Sequence, residues 1–171
     1  MSDNKNNIIL IGMPTSGKST VGVILAKILG YRFIDADIVI QEKDGRKLSR
    51  IIAEDGVDGF IDIENRINSE ISPKKTVIAT GGSVVYGKEA MEHYKEIGKV
   101  VYLKVSFETL KKRLHHAKQR GVVMKDGQTL ESLYKERVSL YEQYADITVD
   151  EGNDSLESVI EKVQEYFSDT L

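Results

Sequence analysis

The sequence predicts an α/β fold of three layers, in which a five-stranded parallel sheet lies between two layers of helices. Three observations predict it: short apolar runs alternate with stretches of helical periodicity, the first run is apolar throughout, and no linker or internal repeat divides the chain. A bare apolar run indicates a strand that is covered on both faces, as in parallel sheets. The 171 residues, 40% hydrophobic and 30% charged, therefore predict one domain over residues 1–171.

Each element follows from its local pattern. The predicted strands are rich in apolar and β-branched residues and cover residues 8–11, 32–35, 76–79, 100–105 and 147–149. The predicted helices have apolar residues at helical spacing and cover 18–29, about 58–72, 88–95, 107–118, 129–144 and 155–167. Gly30 ends the first helix, and the crossovers between strands are expected to be right-handed. Residues 117–128 have little periodicity and predict a mobile loop between two helices.

Composition excludes several classes of function. There is no cysteine, which excludes disulfides, thiol catalysis and cysteine-ligated metals. The 24 Lys and Arg against 27 Asp and Glu give a formal net charge of −3, without a basic block that would bind nucleic acid. No apolar stretch approaches the roughly 20 residues that span a bilayer, and the first residues are too polar for a signal peptide. We expect a cytoplasmic monomer that binds neither nucleic acid nor membranes.

A phosphate-binding loop follows the first strand. The segment Gly12-Met-Pro-Thr-Ser-Gly17-Lys18-Ser19 matches G-x-x-x-x-G-K-[ST] and leads directly into a helix. The glycines expose backbone N–H groups to an anion, and the helix adds its positive dipole end. Lys18 is expected to reach the β- and γ-phosphates, and the Ser19 hydroxyl to ligate Mg²⁺. The other loop and helix positions predicted at the nucleotide are Thr15, Ser16 and Thr20.

The loop predicts binding of a nucleoside triphosphate, and the rest of the chain favours a kinase. Motors and switch GTPases need further elements, and the sequence has no N-K-x-D signature for guanine. A compact kinase that phosphorylates a small molecule is therefore favoured.

Two carboxylates end the second strand. Asp35 and Asp37 lie where the carboxyl end of a parallel strand faces the ligand crevice. If both belong to the strand they share one face, with Asp35 holding a magnesium-bound water and Asp37 receiving a proton from an acceptor hydroxyl. The alternative is that Asp37 is only the N-cap of the next helix and Asp35 is solvated.

A glycine pair ends the third strand. Gly81 and Gly82 allow a substrate to lie against backbone N–H groups, although a tight turn explains such a pair equally well. Their place at the carboxyl end of a strand favours the first reading.

These three motifs, in this order and spacing, resemble the shikimate kinase family from residue 7 to about 167. The resemblance implies a P-loop kinase fold of nucleoside monophosphate kinase type, with ATP and Mg²⁺ at the phosphate loop. It also implies that the acceptor is shikimate, a cyclic triol carboxylate that would become shikimate 3-phosphate, bound beneath a mobile lid over about residues 117–128.

The resemblance also implies roles for individual residues. The family's acceptor-side aspartate falls on Asp37 and its magnesium-side aspartate on Asp35. Its lid arginine matches Arg120, its adenine-side arginine matches Arg113, and the carboxylate-binding arginine before the last strand matches Arg137. The apolar wall of its substrate pocket matches Leu48, Ile52 and Phe60.

The chain departs from the family at three positions. Ile61 stands where the family has a second carboxylate-binding arginine, which leaves Glu64 without the partner that it would orient. Ser83 replaces a third glycine, and Gly121 replaces the proline after the lid arginine. Arg50 and Arg66 are the candidates to replace the arginine lost at position 61.

The sequence thus predicts an ATP-dependent phosphotransferase with an alcohol acceptor, most simply shikimate. The departure at Ile61 keeps a different hydroxylated metabolite as an alternative acceptor. A regulatory protein that binds ATP without catalysis is the alternative of another class. It is disfavoured because such a protein has no need for a carboxylate on the acceptor side, such as Asp37.

Overall fold

Alternate side chains of the first strand, Asn7–Ile11 (β1), enter two different hydrophobic cores in the computed structural model of the protein. Ile9 and Ile11 pack into one core, and Ile8 and Leu10 pack into the other. The prediction of a strand covered on both faces is confirmed. The structure describes residues 5–116, 122–152 and 154–168.

The strands of the described ranges form one parallel sheet. The four that join β1 are Arg32–Asp35 (β2), Thr76–Ala79 (β3), Gly98–Lys104 (β4) and Ile147–Asp150 (β5). Their spatial order is β2-β3-β1-β4-β5, and every neighbouring pair is parallel. Because β1 lies in the middle, the loop that follows it opens at the centre of the carboxyl edge, where ligands bind in such sheets.

Helices cover both faces of the sheet. The α-helices of the described ranges are Lys18–Leu29 (α1), Ala36–Asp44 (α2), Leu48–Glu70 (α3), Lys88–Ile97 (α4), Phe107–His116 (α5), Leu130–Tyr144 (α6) and Leu156–Ser168 (α7). A short 3₁₀ helix covers Val84–Tyr86. Helices α1 and α7 pack on the face of Ile8, and α4 and α6 pack on the face of Ile9. The predicted three-layer α/β/α fold is confirmed.

The helical region between β2 and β3 differs from its prediction. Helix α2 was not among the helical patterns, and α3 begins ten residues earlier than position 58. Glycines interrupt the periodicity here: Gly45 caps α2 in the left-handed region at φ 84°, and Gly56 bends α3 at φ 75°. The segment has its own apolar core, formed by Ile40, Ile51, Phe60 and Ile67.

The predicted lid lies partly outside the described residues. Residues 117–121 are among those that the structure does not describe, so the predicted end of α5 at 118 lies there too. Residues 122–128 contain no helix or strand, only a turn at 126–127, as predicted for a loop between two helices. None of the helices in the described ranges has the length and apolar character needed to cross a membrane.

Candidate active site

The phosphate loop has backbone angles that its glycines make accessible. Gly12 has φ 150°, and a Cβ there would lie 2.6 Å from the carbonyl oxygen of Leu103. Gly17 caps α1 in the left-handed region at φ 83°. Thr15 has φ 69° without being glycine, and its buried Oγ1 has no hydrogen-bond partner among the described residues. A strained loop with an orphaned hydroxyl at a helix N-terminus fits a bound phosphate chain.

Lys18 lies inside this loop. Its Nζ donates hydrogen bonds to the carbonyls of Gly12 at 2.7 Å and Met13 at 2.8 Å, and contacts Ser16 Oγ at 3.4 Å. Only 8% of the residue is exposed, and burial lowers the Lys18 pKa to about 8, although the charge of Asp37 opposes that shift. An anion in the loop would raise the Lys18 pKa again, because it stabilises the ammonium form.

Asp35 connects the phosphate loop to α2. Its Oδ2 accepts a 3.2 Å hydrogen bond from Ser19 Oγ, while Oδ1 accepts from the backbone N–H of Asp37 at 3.0 Å. Asp35 is therefore the N-cap of α2, and Asp37 lies in the first turn of that helix. The expectation that both carboxylates share one strand face is wrong, because the strand ends at Asp35. The alternative that Asp37 is the N-cap is wrong for the same reason.

Asp35 and Ser19 together fit a magnesium ion bound to polyphosphate. Both present oxygen atoms, which Mg²⁺ prefers, and they lie at the end of the loop. The described residues contain no group of three or more His, Cys, Asp or Glu side chains arranged to hold a metal alone. That fits an ion whose remaining ligands are phosphate oxygens and waters.

Asp37 faces the same cavity as Lys18. Burial raises the pKa of Asp37, the charge of Asp35 raises it further, and Lys18 opposes both. A Cβ at Gly81 would lie 2.8 Å from Asp37 Oδ1, so the absence of a side chain at Gly81 lets this carboxylate approach the third strand.

One cavity of about 470 Å³ connects the nucleotide and acceptor sides. Its lining includes nearly all the predicted site residues that the structure describes: Thr15, Gly17, Lys18, Ser19, Thr20, Asp35, Asp37, Leu48, Ile52, Phe60, Gly81, Gly82 and Arg137. It also includes residues that were not predicted as site residues: Pro14, Ser49, Glu64, Thr80, Ser83 and Val123. Gly12 and Ser16 lie behind the lining, where both contact Lys18.

Arg137 is the cation at the acceptor end. It is 1% exposed, its Nη2 donates to the carbonyl of Val123 at 2.6 Å, and its guanidinium lies 5.5 Å from the ring centroid of Tyr86. The Nε atom has no hydrogen-bond partner among the described residues. Nearby, Tyr141 donates a 2.5 Å hydrogen bond to the carbonyl of Gly82, which fixes the glycine turn against α6.

Glu64 has a partner that the sequence did not indicate. Ser83 Oγ donates a 2.6 Å hydrogen bond to Glu64 Oε1, so a hydroxyl contacts the carboxyl group that lacks the arginine expected from the family. Its Oε2 has no hydrogen-bond partner among the described residues. Burial raises the Glu64 pKa to about 8, and the hydrogen bond from Ser83 opposes that shift. Ser83 had been noted only as a departure from the family pattern, and Glu64 only as the residue that loses an arginine at position 61.

Arg113 lies on the outer side of the phosphate loop. Its Nη1 donates to the carbonyl of Thr15 at 2.8 Å and to Glu151 Oε2 at 3.2 Å. Arg113 is not part of the cavity lining, but it is anchored to the loop. Burial raises the pKa of Glu151, and Arg113 opposes the shift. Glu151 is a further acidic residue beside the loop that sequence reasoning did not single out.

Ile61 and the two arginines that were candidates to replace the missing one do not line the cavity. Ile61 packs against the apolar core of α3 rather than lining the cavity. Arg50 pairs with Glu54 and is largely exposed, and Arg66 is exposed, so neither replaces the missing arginine. Arg120 lies outside the described residues. Within the described ranges, Arg137 is the only arginine in the cavity lining.

Comparison with known proteins identifies the family. The sequence model of shikimate kinase matches residues 14–168. A shikimate kinase of Persephonella marina is 35% identical over 158 residues, which cover 92% of this chain and 96% of that protein.

Solved structures agree with the sequence comparison. The shikimate kinase of Acinetobacter baumannii in complex with shikimate superposes with a TM-score of 0.87 at 31% identity, covering 97% of this chain and 94% of that one. Thymidylate kinase of Candida albicans, at 14% identity and a TM-score of 0.61, shares the fold and covers 99% of this chain and 94% of its own. The predicted P-loop kinase fold is therefore confirmed. The chain belongs to the shikimate kinase family, as the order of its three motifs predicted.

Proposed function

We propose that this protein transfers the γ-phosphoryl group of ATP to a hydroxyl of shikimate and releases shikimate 3-phosphate and ADP. The family confirms the prediction of an ATP-dependent kinase, and a relative of similar fold was solved with shikimate bound. The observation that supports the proposal is one cavity whose lining contains Lys18, Asp37 and Arg137. A cavity with these three side chains supports a phosphate site, a proton acceptor and a carboxylate site close to one another.

The nucleotide is held by the phosphate loop. We infer that Lys18 releases its loop carbonyls and binds the β- and γ-phosphates, where its charge stabilises the transferring group. The N–H groups at the start of α1, from Lys18 to Thr20, face the same phosphates. Ser19 and Asp35 would hold Mg²⁺, which neutralises phosphate charge when bound. Arg113, anchored on Thr15, is proposed to contact the adenine side.

We propose that the acceptor binds in the same cavity, next to Asp37. We infer that its hydroxyl donates a hydrogen bond to Asp37, which takes the proton as the oxygen bonds to the γ-phosphorus and the bond to ADP breaks. Arg137 pairs with the acceptor carboxylate, and the glycine turn Gly81–Gly82 offers backbone N–H groups. Phe60, with Leu48 and Ile52, covers the apolar face of the ring.

Some predictions of the sequence remain predictions. The charge-neutralising role of Arg120 and the closure of the lid depend on residues outside the described ranges. A monomeric state, a cytoplasmic location and the lack of nucleic-acid partners are likewise expectations from composition alone.

A second acceptor class is favoured by one observation. The cavity lining in the described ranges contains a single arginine, and Ile61 packs into an apolar core. A hydroxylated metabolite without a carboxylate would need no second arginine. The regulatory alternative has less support, because a protein that only binds ATP has no need for a proton-accepting carboxylate such as Asp37 in the cavity.

The test is ADP release measured with one acceptor at a time, over shikimate, quinate, gluconate, nucleosides and amino-acid alcohols. We expect ADP release that depends on shikimate and that Lys18→Met abolishes, since the loop loses its cation. Lys27→Met, an exposed position of the same helix, is the matched control and should retain activity. If the protein binds ATP but releases no ADP with any of these acceptors, the regulatory alternative is favoured.

A further inference from the structure

Glu64 is a buried acid whose second oxygen has no partner in the protein. The residue lies in α3, is 1% exposed and lines the cavity. Its Oε1 accepts a hydrogen bond from Ser83 Oγ, whereas its Oε2 has none among the described residues. A buried carboxyl oxygen without a hydrogen bond costs free energy, so the free atom needs an explanation.

The free oxygen points to the acceptor side of the cavity. A Cβ at Gly81 would lie 2.8 Å from Glu64 Oε2 and also 2.8 Å from Asp37 Oδ1, so the two carboxyl groups flank the same glycine. Two carboxylates this close in a buried site repel each other, and one of them therefore tends to keep its proton. An ionised Asp37 is the one required to receive the acceptor's proton.

We propose that Glu64 binds the acceptor in its protonated form and donates a hydrogen bond from Oε2 to an oxygen of the acceptor. This role rests on the proposed function and adds a neutral donor to a pocket in which Arg137 is the only arginine of the described lining. Ser83 supports it by occupying Oε1, so that the proton is carried on Oε2. Glu64 is thus a specificity residue that selects acceptors with an oxygen at this position.

The surroundings of Glu64 agree with a neutral acid. Burial is the largest effect and raises the Glu64 pKa to about 8, with the Asp37 charge adding to it. The hydrogen bond from Ser83 and the charges of Arg137 and Lys18 lower it. The titratable and charged groups that face Glu64 from the helices around it are Lys18 of α1, Asp37 of α2, Tyr94 of α4, and Arg137 and Tyr141 of α6.

Glu64→Gln tests the effect of the titrating proton of Glu64 alone. Glutamine has nearly the same shape, leaves every facing group in place, and carries N–H donors that do not titrate. Any difference in pH dependence between wild type and this variant therefore belongs to Glu64. Glu64→Ala removes the donor altogether.

The first measurement needs no ligand. Wild type and Glu64→Gln are unfolded with urea at several pH values between 6 and 9.5. The folded protein holds the Glu64 proton at a pH where the unfolded chain has lost it, so wild type should lose stability relative to Glu64→Gln as pH rises toward about 8. If the free energies of unfolding of wild type and Glu64→Gln change equally with pH, the claim that Glu64 is protonated in the folded protein is wrong.

The second measurement is the KM for shikimate at saturating ATP over the same pH range. We expect the wild-type KM to rise about tenfold between pH 7 and 9 while kcat changes little, because ionised Glu64 cannot donate. Glu64→Gln should show no such rise, and Glu64→Ala should have a raised KM at every pH. Ser83→Ala should move the rise to higher pH, because the hydrogen bond that favours the ionised form is lost.

The outcomes separate the two claims. If wild type uses shikimate and Glu64→Gln shows the same pH dependence of KM, the role of Glu64 is overturned and the proposed function stands. If wild type neither binds nor phosphorylates shikimate at pH 7, the proposed function is overturned, and this role falls with it.

Discussion

Arg137 donates a 2.6 Å hydrogen bond from Nη2 to the backbone carbonyl of Val123, which joins the acceptor end of the cavity to the segment between α5 and α6. Both residues line the cavity. A guanidinium has several N–H donors, so we infer that Arg137 can bind an acceptor carboxylate while Nη2 keeps its hydrogen bond to Val123. We therefore expect acceptor binding to stabilise the position of residues 122–128.

Hydrogen exchange of residues 122–128 should report this coupling. With a non-hydrolysable ATP analogue and shikimate both bound, we expect slower exchange in this segment, because closure over the cavity excludes water. The measurement is exchange followed by mass spectrometry, with α7 as the internal reference. In Arg137→Lys, which lacks the bidentate geometry, the effect of shikimate should be smaller. Equal exchange in the free and doubly bound protein would contradict the coupling.

The two functions of Asp35 can be separated by two substitutions. Asp35 accepts hydrogen bonds from the N-terminal N–H groups of α2 and from Ser19 Oγ. Asparagine caps helices as well as aspartate, whereas alanine does not, so only Asp35→Ala should lose about 1 kcal/mol of stability. Both variants should need more Mg²⁺ for activity, since both lose the charge near the ion. Urea unfolding and Mg²⁺ titration of activity are the two measurements.

A single result would contradict this assignment of Asp35. If Asp35→Asn keeps the Mg²⁺ dependence of wild type, the carboxylate acts only as the cap of α2.

Asp37→Asn should impair phosphoryl transfer with little effect on the nucleotide. We expect kcat to fall about 10²- to 10⁴-fold, which is typical when a group that accepts a proton is lost, and the Kd for ATP to stay close to that of wild type. Asp44→Asn is the matched control, because Asp44 does not line the cavity and forms an ion pair with Arg46. A collapse of ATP affinity in Asp37→Asn would move Asp37 to the metal side of the site.

Ile61 is half-buried at the edge of the α3 core, and we expect the longer side chain in Ile61→Arg to extend into the cavity and add a second carboxylate contact. A charge-assisted bond of this kind contributes roughly 1.5–3 kcal/mol, so the KM for shikimate should fall by about one decade or more. Ile61→Lys should lower the KM less, because an ammonium group cannot form two parallel hydrogen bonds to a carboxylate as a planar guanidinium does. Ile63→Arg is the matched control, since Ile63 packs against the same apolar core. Steady-state kinetics and thermal unfolding of all three variants are the measurements.

The outcome for Ile61→Arg also bears on the alternative acceptor. A variant that remains folded, with shikimate turnover negligible before and after the change, would favour an acceptor without a carboxylate. In that case the hydroxyl is held out of line with the γ-phosphate, and an added arginine cannot correct that.

The sheet and the phosphate loop were predictable from sequence because both depend on local pattern. The apolar run of β1 and the loop from Gly12 to Ser19 are continuous segments whose chemistry does not depend on distant residues. Helix α2 was missed because it is short, partly exposed and followed by Gly45. The role of Asp35 as N-cap was missed because alternation along a strand cannot show where the strand ends.

The acceptor side was less predictable because its contacts join distant segments. Ser83 and Glu64 are 19 residues apart, and Ser83 looked like an isolated departure, but in the fold its hydroxyl donates a hydrogen bond to the Glu64 carboxyl group. Ile61 occupies a position that matches a binding residue, but its side chain packs into the core of α3. Neither relationship is visible in residue spacing, since both depend on how α3 lies against α2 and against the 3₁₀ helix Val84–Tyr86.

Competition among acceptors tests most directly whether shikimate is the substrate. The protein is given ATP, Mg²⁺ and an equimolar mixture of shikimate, quinate, gluconate, a nucleoside and an amino-acid alcohol, and the phosphorylated products are identified by mass spectrometry over time. We expect shikimate 3-phosphate to appear first and to be the main phosphorylated product, and we expect Lys18→Met to form none of it. Phosphorylation of another acceptor while shikimate remains unchanged would contradict the account.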